Sequence, residues 1–179
     1  MARAICVCTL FPLAAIYLWN LSDLSKKAIA FMAPPACRRH RRTDKDAGRR
    51  SVRRSKLKEI NSLVMSTLDS EIDPRMDQRL EDCVLDKTRY SSFYNTSLEV
   101  ILRVLGVDTL IICRVTTEIC VESTIRDAYF RDFKILVPKD AVAAMDIDCH
   151  NGTLATIEYG FGSVTTSTKL INDLLGIPA

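Results

Sequence analysis

From Thr96 to the end of the chain, apolar positions fall in short blocks whose period switches between that of a helix and that of a buried strand. Thr96-Ser-Leu-Glu99 has the form of a capping box, and behind it Leu98, Ile101, Leu102 and Leu105 stand at i, i+3, i+4 and i+7, one face of a helix. Gly106 is placed to end that helix. Thr109-Leu-Ile-Ile-Cys113 is then a continuous run suited to a strand covered on both faces, and Phe133-Lys-Ile-Leu-Val137 is another. Between them residues 119–131 predict a helix, and two more are predicted over 148–158 and 167–175, with a short strand around 162–165 and a strand candidate at Cys83-Val84-Leu85. Repeated strand, helix, strand units imply a three-layer, doubly wound α/β domain with a mostly parallel sheet and helices on both faces.

Upstream the pattern changes twice, dividing the chain into an apolar N-terminal segment (1–33), a basic loop (34–59) and the orderly domain (60–179). Residues 4–19 are sixteen without a charge, preceded by Arg3, which suits a signal-peptide core better than a span needing about 20 apolar residues. No small-x-small cleavage site follows. Three readings stay open for this segment: a secretory signal or short membrane anchor, a buried first strand and helix start, and a non-native start from a faulty gene model. Pro34-Pro35 breaks regular structure, and the basic stretch after it lacks an apolar face.

Composition sharpens the picture in two ways. With 47% apolar and 26% charged residues over 179 positions, the chain has material for a real core, which excludes collagen-like and wholly disordered classes. The net charge of +3 hides an asymmetry, because residues 38–58 carry eleven Lys/Arg against Asp44 and Asp46. That run lacks aromatic residues for base stacking and any nucleic-acid motif around it, so it reads as solvated rather than as a nucleic-acid surface. The seven cysteines are odd in number and contain no C-x-x-C pair, which favours a reducing, cytoplasmic compartment; the membrane-anchored or secretory alternative rests on residues 4–19.

The segment that carries chemistry is Val115-Thr-Thr-Glu-Ile-Cys-Val-Glu-Ser-Thr-Ile-Arg-Asp127, which follows a predicted strand and opens a predicted helix. In a doubly wound sheet that junction lies at the carboxyl end of a strand, where ligand sites gather. Cys120 at a helix start meets the helix dipole and free backbone N–H groups, which favour thiolate and so a better nucleophile. The plain alternative for any such cysteine is a small buried hydrophobe.

These residues resemble the isochorismatase-like cysteine hydrolases, a family that includes nicotinamidases, N-carbamoylsarcosine amidases and ureidoacrylate amidohydrolases. The resemblance rests on Lys87-Thr-Arg-Tyr-Ser-Ser-Phe-Tyr-Asn-Thr96, on Gly106-Val-Asp-Thr-Leu-Ile-Ile-Cys113, on the segment around Cys120, on Asp140-Ala141, and on His150-Asn-Gly-Thr-Leu-Ala155 leading to Phe161-Gly-Ser-Val164. It covers about residues 68–176, and the thirty-three-residue separation of Lys87 and Cys120 looks more like the carbamoyl and ureido amidohydrolases than the nicotinamidases. It implies a hydrolase acting on a C–N bond of a small amide, carbamoyl or ureido substrate, with Cys120 as the nucleophile that forms a thioester and Lys87 as its cationic partner. It also implies an oxyanion hole from the backbone N–H groups of Thr116 and Cys120, beside a cis peptide at Val115–Thr116, and no cofactor. Family members often oligomerise, and the apolar carboxyl-terminal helix offers a surface for a homo-oligomer.

Two departures bear on activity. The family's third catalytic residue is an Asp in a D-x-Q-like motif at the end of the first strand, and no such motif exists here, so the first strands read as degraded or replaced. Were residues 4–9 that strand, the Asp position would fall near Thr9; Asp23, Asp44 and Asp46 are the nearest carboxylates, each in a context more like a cap or a solvated loop. Arg114 stands where the family usually has Gly, and its side chain either obstructs the pocket or binds an anionic group; obstruction is the favoured reading. Only two histidines, His40 and His150, are present, too few for the nicotinamidase metal pattern, so no metal site is expected. The alternative to an active hydrolase is a truncated, non-catalytic member that keeps only the fold.

Overall fold

A computed structural model of the chain describes residues 89–176 together with residues 28–32, 85 and 87. At its centre, four parallel strands are ordered β1 (Ala28–Met32), β2 (Val107–Ile112), β4 (Lys134–Pro138) and β6 (Ser163–Thr165). β3 (Arg114–Val115) and β5 (Val142–Ala143) form a separate parallel pair. Leu110, Ile111 and Ile112 of β2 are each at most 1% exposed, so both faces of the strand are covered, as its unbroken apolar run requires. The first-strand reading of the sequence falls on residues 4–9, which lie outside the described residues, whereas the strand that pairs along β2 is Ala28–Met32.

Helix α1 (Leu98–Val104) buries Leu98 and Leu102 and ends where Gly106 takes φ +68°, a conformation that costs a glycine little. The expected capping box does not form, because the N-cap is Ser97 and its side chain makes no cap bond. The Thr96 hydroxyl accepts the Leu98 N–H at 3.3 Å, whereas Glu99 turns to Arg131, 2.8 Å away on the far side of the next β–α unit. Helix α2 (Glu122–Tyr129) is shorter than the predicted 119–131. A π turn, Thr117–Val121, precedes it, and Asp132 at φ +62° turns the chain into β4. Leu85, half-buried against the core, belongs to no regular element; Cys83 and Val84 of the strand candidate lie outside the described residues.

At the carboxyl end, α3 (Ile147–Gly160) starts on Asp146, whose carboxylate accepts the Cys149 N–H at 2.8 Å. Gly162 then lets the chain close on β4, since a Cβ there would lie 2.7 Å from both Cβ and O of Ile135. Helix α4 (Ser167–Leu175) is capped by Thr166, which accepts the Lys169 N–H, and is held from a second direction by Asp140, which accepts the Ser167 N–H at 2.8 Å and its hydroxyl at 3.0 Å. Among the described residues no helix is long and apolar enough to cross a membrane. Residues 4–19 lie outside them.

Candidate active site

The carboxyl end of β2 leads through buried Cys113 into the two-residue strand β3, the Val115–Thr116 peptide bond is cis, and the chain then winds into the π turn that carries Cys120. Such turns recur at functional sites, because the wider winding re-aims side chains within one helix. Here the Thr116 carbonyl gathers three donors, the N–H groups of Ile119 at 3.3 Å, Cys120 at 3.0 Å and Val121 at 3.1 Å. Cys120 is 8% exposed, at the first turn of the helical run that α2 continues. The π turn replaces the regular helix start expected from the sequence, and helical periodicity alone gives no sign of it. Its Cys120 N–H, which the resemblance makes an oxyanion donor, points at Thr116 O.

Lys87 is 1% exposed, not the surface lysine that composition alone would make the default. Its ammonium donates to the carbonyls of Arg89 at 3.0 Å and Tyr90 at 2.7 Å, so the side chain is folded onto the turn that follows it. Burying an ammonium is costly unless it is well bonded, and backbone carbonyls offer that without neutralising the charge.

A third residue ties the two regions together. The Thr124 hydroxyl, on α2, donates to the Cys120 carbonyl at 2.7 Å and accepts the Ser92 N–H at 3.2 Å. All three groups are buried. Thr124 lies inside the motif read from sequence but receives no role there; its four-residue spacing from Cys120 is the one signal that could have suggested the bond back to that carbonyl.

On the other side of the π turn, fully buried Thr117 places its hydroxyl 2.9 Å from Nδ1 of His150 on α3. His150, which the sequence offers only as part of a family motif, thus belongs to the surroundings of the Cys120 segment. Next to it, Glu118 keeps one buried carboxylate oxygen with no hydrogen-bond partner. The hydrogen bond from Cys149 to Asp146 raises the exposed Cys149 thiol above its ordinary range, with the Asp146 charge adding to the effect, so Cys149 resists forming thiolate. Among the described residues no group of three or more His, Cys, Asp or Glu could hold a metal ion. His40, Asp23, Asp44, Asp46, Thr9 and the Arg114 side chain, with its expected obstruction, lie outside what is described.

A family model for the isochorismatase domain matches residues 35–169. A ureidoacrylate amidohydrolase of Methylobacterium radiotolerans is 41% identical over 99 residues, 55% of this chain and 38% of that protein. Nicotinamidase 3 of Arabidopsis thaliana is 33% identical over 112 residues, 62% of this chain and 57% of that protein. The chain therefore spans between about two-fifths and three-fifths of the length of these curated relatives. Among solved structures, a cysteine hydrolase from Pseudomonas syringae pv. phaseolicola superposes with a TM-score of 0.73 at 28% identity, over 98% of this chain and 92% of that one.

Proposed function

Because the chain belongs to the isochorismatase family, we propose that it is a cysteine hydrolase that cleaves a C–N bond of a small amide, carbamoyl or ureido compound. The observation that carries this reading is the buried Cys120 at the start of a helical run, hydrogen-bonded through Thr124 to the loop that carries the buried ammonium of Lys87. In the proposed reaction the Cys120 sulfur bonds to the carbonyl carbon, and the C=O electron pair moves onto oxygen. Collapse of that tetrahedral species breaks the C–N bond; the amine leaves with a proton, and the acyl group stays on sulfur as a thioester. Water then attacks the thioester, releasing the acid and returning the thiol.

Lys87 supports the negative charge that develops on sulfur and oxygen, and the Thr116 N–H is an oxyanion donor. The second donor that the resemblance implies is the Cys120 N–H, which is bonded to Thr116 O in this structure. The similarity to a ureidoacrylate amidohydrolase makes ureido and carbamoyl compounds the first substrates to test. The working compartment of this reading is the cytoplasm, with homo-oligomerisation through α4, residues 60–179 as the catalytic domain and Arg114 restricting the pocket.

One observation favours a second reading. The thiol proton needs an acceptor, and the family's D-x-Q carboxylate has no counterpart in this sequence. A member that retains the fold without turnover accounts for that loss. Ammonia release from purified protein against a panel of amides, carbamoyl and ureido compounds separates the two. The hydrolase reading predicts release that disappears in Cys120→Ala, and no release from a folded sample favours the fold-only member.

A further inference from the structure

We infer that His150 is a positioning residue that holds the turn bearing Cys120 in register through Thr117, an inference that rests on the hydrolase reading above. Its Nδ1 lies 2.9 Å from the Thr117 hydroxyl, thirty-three residues away in sequence. The two share one hydrogen bond whichever tautomer the imidazole adopts, since the hydroxyl donates to a bare Nδ1 or accepts from Nδ1–H. Thr117 has no exposure, so solvent does not compete for that hydroxyl. It is also the first residue of the π turn, and its backbone nitrogen shares a peptide plane with the Thr116 carbonyl, on which the N–H groups of Ile119, Cys120 and Val121 converge. A side chain held fast at Thr117 therefore orients the plane from which the turn winds and Cys120 is aimed.

The imidazole is itself placed by a rigid element. His150 closes the first turn of α3, its N–H donating to Asp146 O at 3.0 Å, and the Asp146 side chain caps the same turn. Thr153 and Ile157 follow at i+3 and i+7, which puts all three on one face of the helix. Ile157 has no exposure and packs into the core, while the Thr153 hydroxyl lies 3.4 Å from a carboxylate oxygen of Glu122, the first residue of α2. This face of α3 thus meets the chain on either side of Cys120, at Thr117 and at Glu122, and the shorter of the two contacts is the one from His150. Apolar contacts of the π turn set how deep it sits, and their loss costs stability; a hydrogen bond adds direction, which an attacking sulfur and the neighbouring Thr116 N–H require. The motif that begins at His150 thereby acquires a role that the bond-making steps do not assign to it.

The test follows turnover of whichever carbamoyl, ureido or amide compound releases ammonia with the wild type, together with alkylation of Cys120 by iodoacetamide, read by peptide mass. His150→Phe and Thr117→Val each remove one end of the bond. Each should slow Cys120 alkylation and lower kcat about 10-fold or more with KM little changed, the scale of a displaced reacting group. Thr117→Ser keeps the hydroxyl and His150→Asn keeps a polar atom near the place of Nδ1, so both should stay within a few-fold of wild type. Because the two residues act through one bond, the double variant His150→Phe/Thr117→Val should be no slower than the slower single variant. Ile157→Val, on the same face of α3, should lower the urea midpoint while kcat and alkylation per folded molecule stay as in wild type. Folded His150→Phe and Thr117→Val with wild-type rates, polar variants as impaired as the apolar ones, multiplying effects in the double variant, or an Ile157→Val loss of kcat as large as that of His150→Phe would each overturn the inference. Should the apolar variants fail to fold, His150→Asn and His150→Gln decide, since Gln reaches the place of Nε2 instead: kcat kept only in the Asn variant supports the bond to Nδ1, and equal kcat in the two contradicts it. If no compound is turned over with dependence on Cys120, the hydrolase reading falls and takes this inference with it. If turnover depends on Cys120 but is indifferent to His150 and Thr117, this inference alone falls.

Discussion

The two halves of the candidate site are built by different means. Around Cys120 the chain is held by core packing: Thr117, Val121 and Ile125 are each fully buried, and the helical run they belong to rests on the sheet. Around Lys87, Phe93 packs into the core and residues 89–97 are in addition tied by hydrogen bonds from side chains to backbone, among them those of Thr96, Thr124, Ser91 and Lys87. Packing spreads a small change over many contacts, whereas a hydroxyl either bonds or does not. The Cys120 region should therefore register mutations first as lost stability, and the Lys87 region first as lost function.

The largest effect expected from this contrast is on the packed side. Ile125→Ala should lower unfolding stability by about 2–5 kcal/mol, measured in urea, because a large aliphatic side chain is removed from a site with no exposure. Cys120 reactivity per folded molecule should stay close to wild type. Thr96→Ala should be the reverse case. It loses the bonds to Ser92 O and to the Leu98 N–H, worth about 1 kcal/mol, while the rate of Cys120 alkylation falls by more than that stability loss would explain. Comparable stability losses in the two variants would break the contrast.

The smallest effect lies at Asp146, the N-cap of α3. Hydrogen bonding to the Cys149 backbone N–H, and then to its side chain, holds the Asp146 carboxyl below its ordinary 3.8. A carboxyl lowered in the folded state stabilises that state fully above the unfolded value, and the contribution is lost as pH falls through the lowered folded value. Asp146→Asn should lower stability slightly at neutral pH, where the carboxylate's contribution is fully present, and the difference from wild type should vanish as pH falls below about 4, as a pH series of thermal unfolding will show.

The same contrast explains what the sequence discloses. Elements built by packing announce themselves through periodicity: α4 is predicted over the residues it occupies, Ser167–Leu175, and β2 and β4 follow from unbroken apolar runs. Gly106 marks a helix end by local chemistry. The features that escape are those set by long-range partners. Glu99 has the spacing for a capping box, but Arg131 takes its carboxylate, and the π turn depends on where β3 delivers the chain. Thr124 looks like any polar helix residue until the loop bearing Ser92 is folded against it. Cys120 and Lys87 stand out as candidates through the resemblance of their motifs to a known family, while the Thr124 hydroxyl that joins Ser92 to the Cys120 carbonyl carries no pattern of its own.

The most direct test of the account is intact-mass measurement of the protein quenched during reaction with carbamoyl, ureido and amide compounds, with the adduct mapped by proteolysis. The account predicts an acyl adduct on the peptide containing Cys120, weaker in Lys87→Met and absent in Cys120→Ala. A folded protein that forms no Cys120 adduct with any of these compounds would contradict it.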